Sequence, residues 1–164
     1  MPKSQEIERV FKVRRMPGEI ARCPSEEIVQ GYLAIDSNGS EVRLRKIGDQ
    51  YCETFKGGGL LQRRELEVSL TKDQFNALWP ATEGRRLEKK RYKIAHAGKT
   101  IELNVYRGNL EGLVLAEIEF ASLKKSEQFQ PPDWLGEEVT EDSRFKNQNL
   151  AQNGAPAGAI MRSQ

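Results

Sequence analysis

At 164 residues, 37% hydrophobic and 30% charged, the chain is sized for one soluble domain. Its 26 basic and 24 acidic residues leave a net charge of +2, a balance that argues against a dedicated nucleic-acid binder. No apolar run reaches the roughly 18 residues of a membrane helix. The stretch from Met1 to Arg15 lacks the apolar centre of a signal peptide, so a cytoplasmic protein is expected, with Cys23 and Cys52 as reduced thiols.

In chain order, period-two alternation predicts strands over Glu6–Val13, Gly31–Asp36, Glu41–Ile47, Gln50–Lys56 and Arg63–Leu70. Turn residues Ser37-Asn38-Gly39 and Gly48-Asp49 separate the second, third and fourth. Thr71-Lys72-Asp73-Gln74 is a capping-box pattern, opening a helix that Pro80 stops. Arg86–Ala95 and Lys99–Tyr106 read as a hairpin turned at Ala97-Gly98, followed by an eighth strand over Leu113–Phe120. Ser122 caps a helix that ends before Pro131-Pro132, and Thr140 caps one through Leu150. The folded unit is expected over residues 5–150. The Ala-, Gly- and Asn-rich end, 151–164, is expected to fray as a flexible tail.

The content of the alternation is unusual. Like charges recur at i and i+2: Glu6 and Glu8, Arg43 and Arg45, Glu65 and Glu67, Lys89 and Arg91, Glu117 and Glu119. Such pairs lie on one face of a strand and repel each other. They make sense where an oppositely charged species binds between them. Carboxylate pairs offer hard oxygen ligands to Mg²⁺ or Mn²⁺, and basic pairs offer charge-assisted hydrogen bonds to phosphate. A closed antiparallel barrel, apolar outside and charged inside, would gather both sets. The competing interpretation is a half-exposed sheet whose charges face water. Spacing leaves the two evenly matched.

Further blocks carry a resemblance. Glu6-Ile7-Glu8-Arg9 resembles the opening of the ExExK signature of the CYTH, or triphosphate tunnel metalloenzyme, family. Gln30-Gly31-Tyr32-Leu33 with Val42-Arg43-Leu44-Arg45, then Tyr51–Lys56, Arg64–Glu67, Glu88–Tyr92 and Ala116–Glu119 are similar to its later blocks, in order. So is Gly136-Glu137-Glu138-Val139-Thr140 with Arg144, Phe145 and Asn147. The likeness spans residues 5–150, and by appearance is strongest to bacterial inorganic triphosphatases.

The resemblance implies an eight-stranded closed antiparallel barrel with a few helices outside. It implies metal-dependent hydrolysis of tripolyphosphate to diphosphate and phosphate, with two Mg²⁺ or Mn²⁺ ions activating water. Glu6, Glu8, Glu65, Glu67, Glu117 and Glu119 would surround the metal, and Lys12, Arg43, Arg45, Lys56, Lys89 and Arg91 would hold the substrate. Lys89 and Tyr32 would form a catalytic lysine–tyrosine pair beside Glu8. The expected partner is a small-molecule triphosphate, with no nucleic acid or membrane, on a monomer or homodimer.

Two departures stand out. Val10 occupies the position of the signature lysine, with Lys12 one step further along the same face, and Asn104 stands where relatives commonly carry aspartate. Alternatives are a thiamine or nucleoside triphosphatase and a non-catalytic polyphosphate-binding module. Gly57-Gly58-Gly59 lacks the GK[ST] ending of a phosphate loop and reads as a hairpin connection. His96, beside a turn, reads as exposed, and Trp79 and Trp134 as packing anchors.

Overall fold

Alternating side chains and short polar turns give a single twisted antiparallel sheet. The structure, a computed structural model, describes residues 7–57 and 64–161. The strands are β1 (Ile7–Val13), β2 (Ser25–Ile35), β3 (Glu41–Ile47), β4 (Gln50–Lys56), β5 (Glu65–Leu70), β6 (Arg86–His96), β7 (Lys99–Arg107), β8 (Val114–Phe120) and β9 (Leu135–Glu138). They line up as β5-β4-β3-β2-β6-β7-β8-β1-β9. The expected mainly-β antiparallel class holds. The closed eight-stranded barrel does not: the sheet has nine strands among the described residues and stays open between β5 and β9.

The reason lies on β1. Its outer edge pairs with β9 through Phe11↔Glu138 and Val13↔Leu135, and the Val10 carbonyl accepts from Val139 N at 2.8 Å. That edge is therefore not available to β5. Strand β9 has four residues, too few for alternation to announce it.

The helices are α1 (Lys72–Leu78), α2 (Leu123–Gln128) and α3 (Asn147–Asn153). The Thr71 hydroxyl accepts from Gln74 N at 3.1 Å, and the Gln74 carboxamide accepts from Thr71 N at 2.9 Å, completing the predicted capping box. Phe75 of α1 packs between Tyr51 and Trp79, with ring centroids 5.0 and 5.1 Å away. A 3₁₀ turn over Trp79–Thr82 then presses on β2 at Gly31, where any Cβ would lie 2.7 Å from the Thr82 side chain. Ser122 caps α2 as expected. Thr140 caps no helix: its hydroxyl accepts from Val10 N at 3.0 Å and donates to Glu138. Asp142 starts a 3₁₀ turn instead, and α3 follows.

Two apolar clusters flank the sheet. The first covers its outer face with Phe11, Ile94, Leu103, Ala116, Ile118, Phe120 and Trp134, all under 9% exposed. The second lies on the inner face, where Leu87, Tyr106 and Leu115 meet Val139, Phe145 and Leu150 of the C-terminal segment. The part of the 151–164 tail that is described lies against the fold. Ala159 is buried, and Met161 N donates to the Gly112 carbonyl at 2.8 Å, which ties the tail to the β7–β8 connection. Cys23 and Cys52 are free thiols. Among the described residues, no helix is long and apolar enough to cross a membrane.

Candidate active site

Register fixes which side chains share the inner face. Glu8 opposes Glu119 and Val10 opposes Glu117 across β1 and β8; Glu102 opposes Glu117 across β8 and β7. Arg91 opposes Asn104 and Lys89 opposes Tyr106 across β7 and β6. On the other wing Tyr32 opposes Arg43, Gln30 opposes Arg45, and Thr54 and Lys56 continue the face to Glu67 and Glu65. Period-two geometry therefore sets Glu8 and the predicted like-charge pairs of β3, β5, β6 and β8 on the concave side.

The twist of the sheet brings both wings around one cavity of about 170 Å³. Glu8 and Val10 of β1, Tyr32 of β2, Arg43 of β3, Lys56 of β4 and Glu117 of β8 line it. The C-terminal segment closes one side with Val139, Phe145 and Asn147, and the Tyr106 hydroxyl donates to Asn147 Oδ1 at 2.7 Å.

Electrostatics within this enclosure are strained. Solvent reaches Glu8, yet protein walls surround it. Burial first, then Glu117 and Glu119, push its carboxyl up to about 7 against the pull of Lys56 and Lys89. Lys89, 1% exposed, is pulled down to about 7 by burial, with Glu117 only partly offsetting the loss and Arg91, Arg45 and Arg43 adding to it. Its ammonium sits 5.6 Å from the centre of the Tyr106 ring. Arg45 is lowered by burial and then by Arg43. Tyr32 is raised beyond the range in which it would ionise, mainly by burial and by Glu41. Arg43 Nε, Arg45 Nε, the Thr54 hydroxyl and Asn104 Nδ2 are buried with no hydrogen-bond partner. Unpaired buried donors cost free energy and suit a ligand rich in oxygen acceptors.

The predicted residues divide accordingly. Glu8, Tyr32, Arg43, Lys56 and Glu117 meet at the cavity. Lys89 and Arg45 stand next to them in the same field. Arg91 is spent on the protein itself: its guanidinium contacts Asn104 Oδ1 and Glu102, each at 3.0 Å, and Glu117 at 3.5 Å. Lys12 lies on the inner face but pairs with Glu137 at 3.2 Å and sits over the Phe145 ring. Its head is thereby drawn toward the C-terminal segment, while Val10 lines the cavity. Glu65 and Glu67 are exposed on the edge strand β5. Glu119 is exposed beside Glu8. Glu6 lies outside the described residues. Lys89 finds its aromatic neighbour in Tyr106. Tyr32 is held elsewhere, by Gln30.

Sequence reasoning did not mark Gln30, Glu41 or Tyr106 as site residues, although they lie two residues from Tyr32, Arg43 and Asn104, which it did mark. It named Asn147 only within the closing block of the resemblance and had no signal for Gln148; both reach the cavity through the irregular C-terminal path.

Among the described residues no three His, Cys, Asp or Glu side chains converge as a ready metal cage. The donor chemistry nevertheless fits a hard divalent cation. Glu8 is raised partly because Glu117 and Glu119 repel its charge, and a cation among the three would relieve that repulsion.

No family model matches the chain. It is 48% identical over 149 residues to an inorganic triphosphatase of Nitrosomonas europaea, covering 89% of this chain and 96% of that protein. An inorganic triphosphatase of Acetivibrio thermocellus is 35% identical over 153 residues, covering 91% of this chain and 94% of its own. A crystal structure of an inorganic triphosphatase superposes with a TM-score of 0.74 at 43% identity, covering 93% of this chain and 97% of the other.

Proposed function

Since the chain belongs to the inorganic triphosphatase family, we propose that it hydrolyses tripolyphosphate to diphosphate and phosphate in the cavity of the concave face. The observation that carries the reading is the meeting of Lys56, Arg43 and the Lys89 field with Glu8 and Glu117 around one enclosure. Cations on one wing suit a chain of phosphates, and carboxylates on the other suit a divalent cation that bridges to it.

Arg43, Arg45 and Lys56 bind and orient the phosphate chain through charge-assisted hydrogen bonds. Lys89, poised between charged and neutral forms at neutral pH, supplies a cation whose field grows where charge develops on the leaving diphosphate. Arg91 positions rather than binds: it fixes Glu117 and Asn104 from behind. Val139, Phe145 and the C-terminal segment exclude bulk water from one side, which strengthens each of these interactions. Glu8, Glu117 and Glu119 would hold Mg²⁺ or Mn²⁺, which when bound would neutralise phosphate charge and activate the attacking water. The wider set of Glu6, Glu65 and Glu67 belongs to the same proposal.

The test is phosphate release from tripolyphosphate, ATP and thiamine triphosphate, with Mg²⁺, with Mn²⁺ and with chelator. Metal-dependent release from tripolyphosphate that Glu8→Gln lowers at least ~100-fold is expected. Preference for thiamine triphosphate or ATP would move the substrate. Binding without turnover would reduce the protein to a polyphosphate-binding module.

A further inference from the structure

Tyr32 enters the cavity with its hydroxyl already committed on one side. Gln30, two residues earlier on β2 and 0% exposed, donates from Nε2 to the Tyr32 hydroxyl oxygen at 2.9 Å. The Arg43 guanidinium lies directly across the register, and its positive charge acts on the same hydroxyl. A phenol oxygen has two acceptor sites and one proton to give. With one acceptor site taken by the Gln30 amide and a donor-only guanidinium across the register, the proton is what remains for another group. Among the described residues Tyr32 donates to none.

The sense of the Gln30 amide follows from its neighbours. Its register partner on β3 is Arg45, a side chain with donors only. With the NH₂ group on the phenol, the amide oxygen is buried without a hydrogen-bond partner; the opposite sense would set NH₂ donors on the strand pair that already carries the donor-only Arg45. The charged groups around Tyr32 are Arg43 and Glu41, both on β3 and both lining the cavity. Backbone contacts hold the residue as well: Tyr32 N donates to the Arg85 carbonyl at 3.0 Å, and Arg85 Nε donates to the Tyr32 carbonyl at 2.9 Å. The ring position is therefore fixed by β2 and Arg85, and the hydroxyl orientation by Gln30.

We propose that Gln30 is a positioning residue for the hydrolysis, its amide turning the Tyr32 hydroxyl into a fixed hydrogen-bond donor to a phosphate oxygen of the substrate in the cavity. The inference rests on the tripolyphosphate reading above. No proton is transferred. Tyr32 remains a neutral phenol throughout, in keeping with its buried setting. A donor oriented before the substrate arrives needs no reorientation as negative charge gathers on the oxygens, which is where such groups contribute most.

The experiment is a double-mutant cycle on Gln30→Met and Tyr32→Phe, read as KM and kcat for tripolyphosphate. Gln30→Met keeps the volume and removes the donor. The expected result is a kcat lowered at least ~10-fold with KM within ~2-fold, a larger kcat loss for Tyr32→Phe alone, and a double variant no worse than Tyr32→Phe. Losses that multiply, or a raised KM with unchanged kcat, would overturn the proposal, because Gln30 would then act without Tyr32. Gln30→Glu, equal in shape but an acceptor when ionised, is expected to lose kcat as well; full activity in that variant would also overturn it. Melting temperatures identify variants that fail to fold. If the unmodified protein releases no phosphate, the tripolyphosphate reading falls on its own. The orienting role of Gln30 is then read by NMR from the exchange rate of the Tyr32 hydroxyl proton, expected to be faster in Gln30→Met; an unchanged rate rejects the role of Gln30.

Discussion

Strand β8 shows two environments one residue apart. Ala116, Ile118 and Phe120 point outward and are at most 1% exposed, packed with Phe11, Leu103 and Trp134. Glu117 and Glu119 point inward to the cavity side, beside Glu8. Outward positions follow the ordinary logic of a sheet, in which area removed from water stabilises the fold. Inward positions oppose it. Like charges lie together, a lysine is buried, and donors go unpaired. The contrast locates function by its energetic cost, since a sequence selected for stability alone would not keep a fully buried ammonium among three arginines.

The largest effect is expected where that cost is concentrated. Lys89→Met is expected to lower phosphate release at least ~100-fold while leaving the fold as stable or more so, since an apolar side chain of similar length replaces an ionisable one. The pH dependence sharpens this. Lys89 titrates at about 7 in the folded protein against 10.5 in the unfolded chain. Between those values the unfolded chain binds more protons, so stability rises with pH and is lost again as pH falls through 7. Glu8 is the mirror case, at about 7 folded against 4.5 unfolded. Its contribution is full below 4.5 and fades as pH rises toward 7. Measured in chelator, the melting temperature is expected to pass through a shallow minimum near neutrality. Lys89→Met should flatten the alkaline limb and Glu8→Gln the acid limb. A flat profile in the unmodified protein would mean that the cavity is not the strained site described.

On the outer face the expectation reverses. Ile118→Ala removes a fully buried side chain next to Phe11 and Trp134 and is expected to cost about 2–5 kcal/mol, read from urea unfolding. At a temperature where the variant is folded, its KM and kcat should match the parent within ~2-fold, because the strand backbone that carries Glu117 and Glu119 is held by β1 and β7. A large kcat loss in the folded variant would show that the two faces are coupled through the strand.

Much of this contrast was legible in the sequence, because a strand has a period of two and the eye can follow it. Glu117 and Glu119 against Ile118 and Phe120 already separate the faces. What alternation could not supply was closure. Whether a charged face curls into a cavity depends on twist and on what occupies the last free edge, and that edge was taken by four residues after Pro131-Pro132. The same limit hid the lining from the C-terminal segment. Val139, Phe145 and Asn147, quoted in the sequence only as part of the resemblance, lie just after β9, in a 3₁₀ turn and at the start of α3, with no shared period, and their place follows from contacts with Leu87, Tyr106 and Leu115 far away in sequence. Lys12 shows the limit at one residue. Its spacing set it on the correct face, but Glu137 and Phe145 draw its head away from the cavity, and neither is close in sequence.

The smallest expected effect belongs to a position on neither face. The β6–β7 hairpin turns at Ala97 and Gly98, both with positive φ, 49° and 75°. Two successive positive values are the pattern of a type I′ turn, which matches the right-handed twist of the paired strands and favours Asn-Gly. Glycine at the second position meets the demand without strain, whereas alanine at the first brings its Cβ close to a carbonyl oxygen. Ala97→Asn is therefore expected to stabilise by about 0.5 kcal/mol, seen as a small rise in melting temperature. Because the turn lines no part of the cavity, its kinetics for tripolyphosphate should be those of the parent. That outcome would set the scale against which the other two kinds of position are judged. A change in the turn would act on the backbone alone, a change outside on packing alone, and a change inside on chemistry at little cost to the fold.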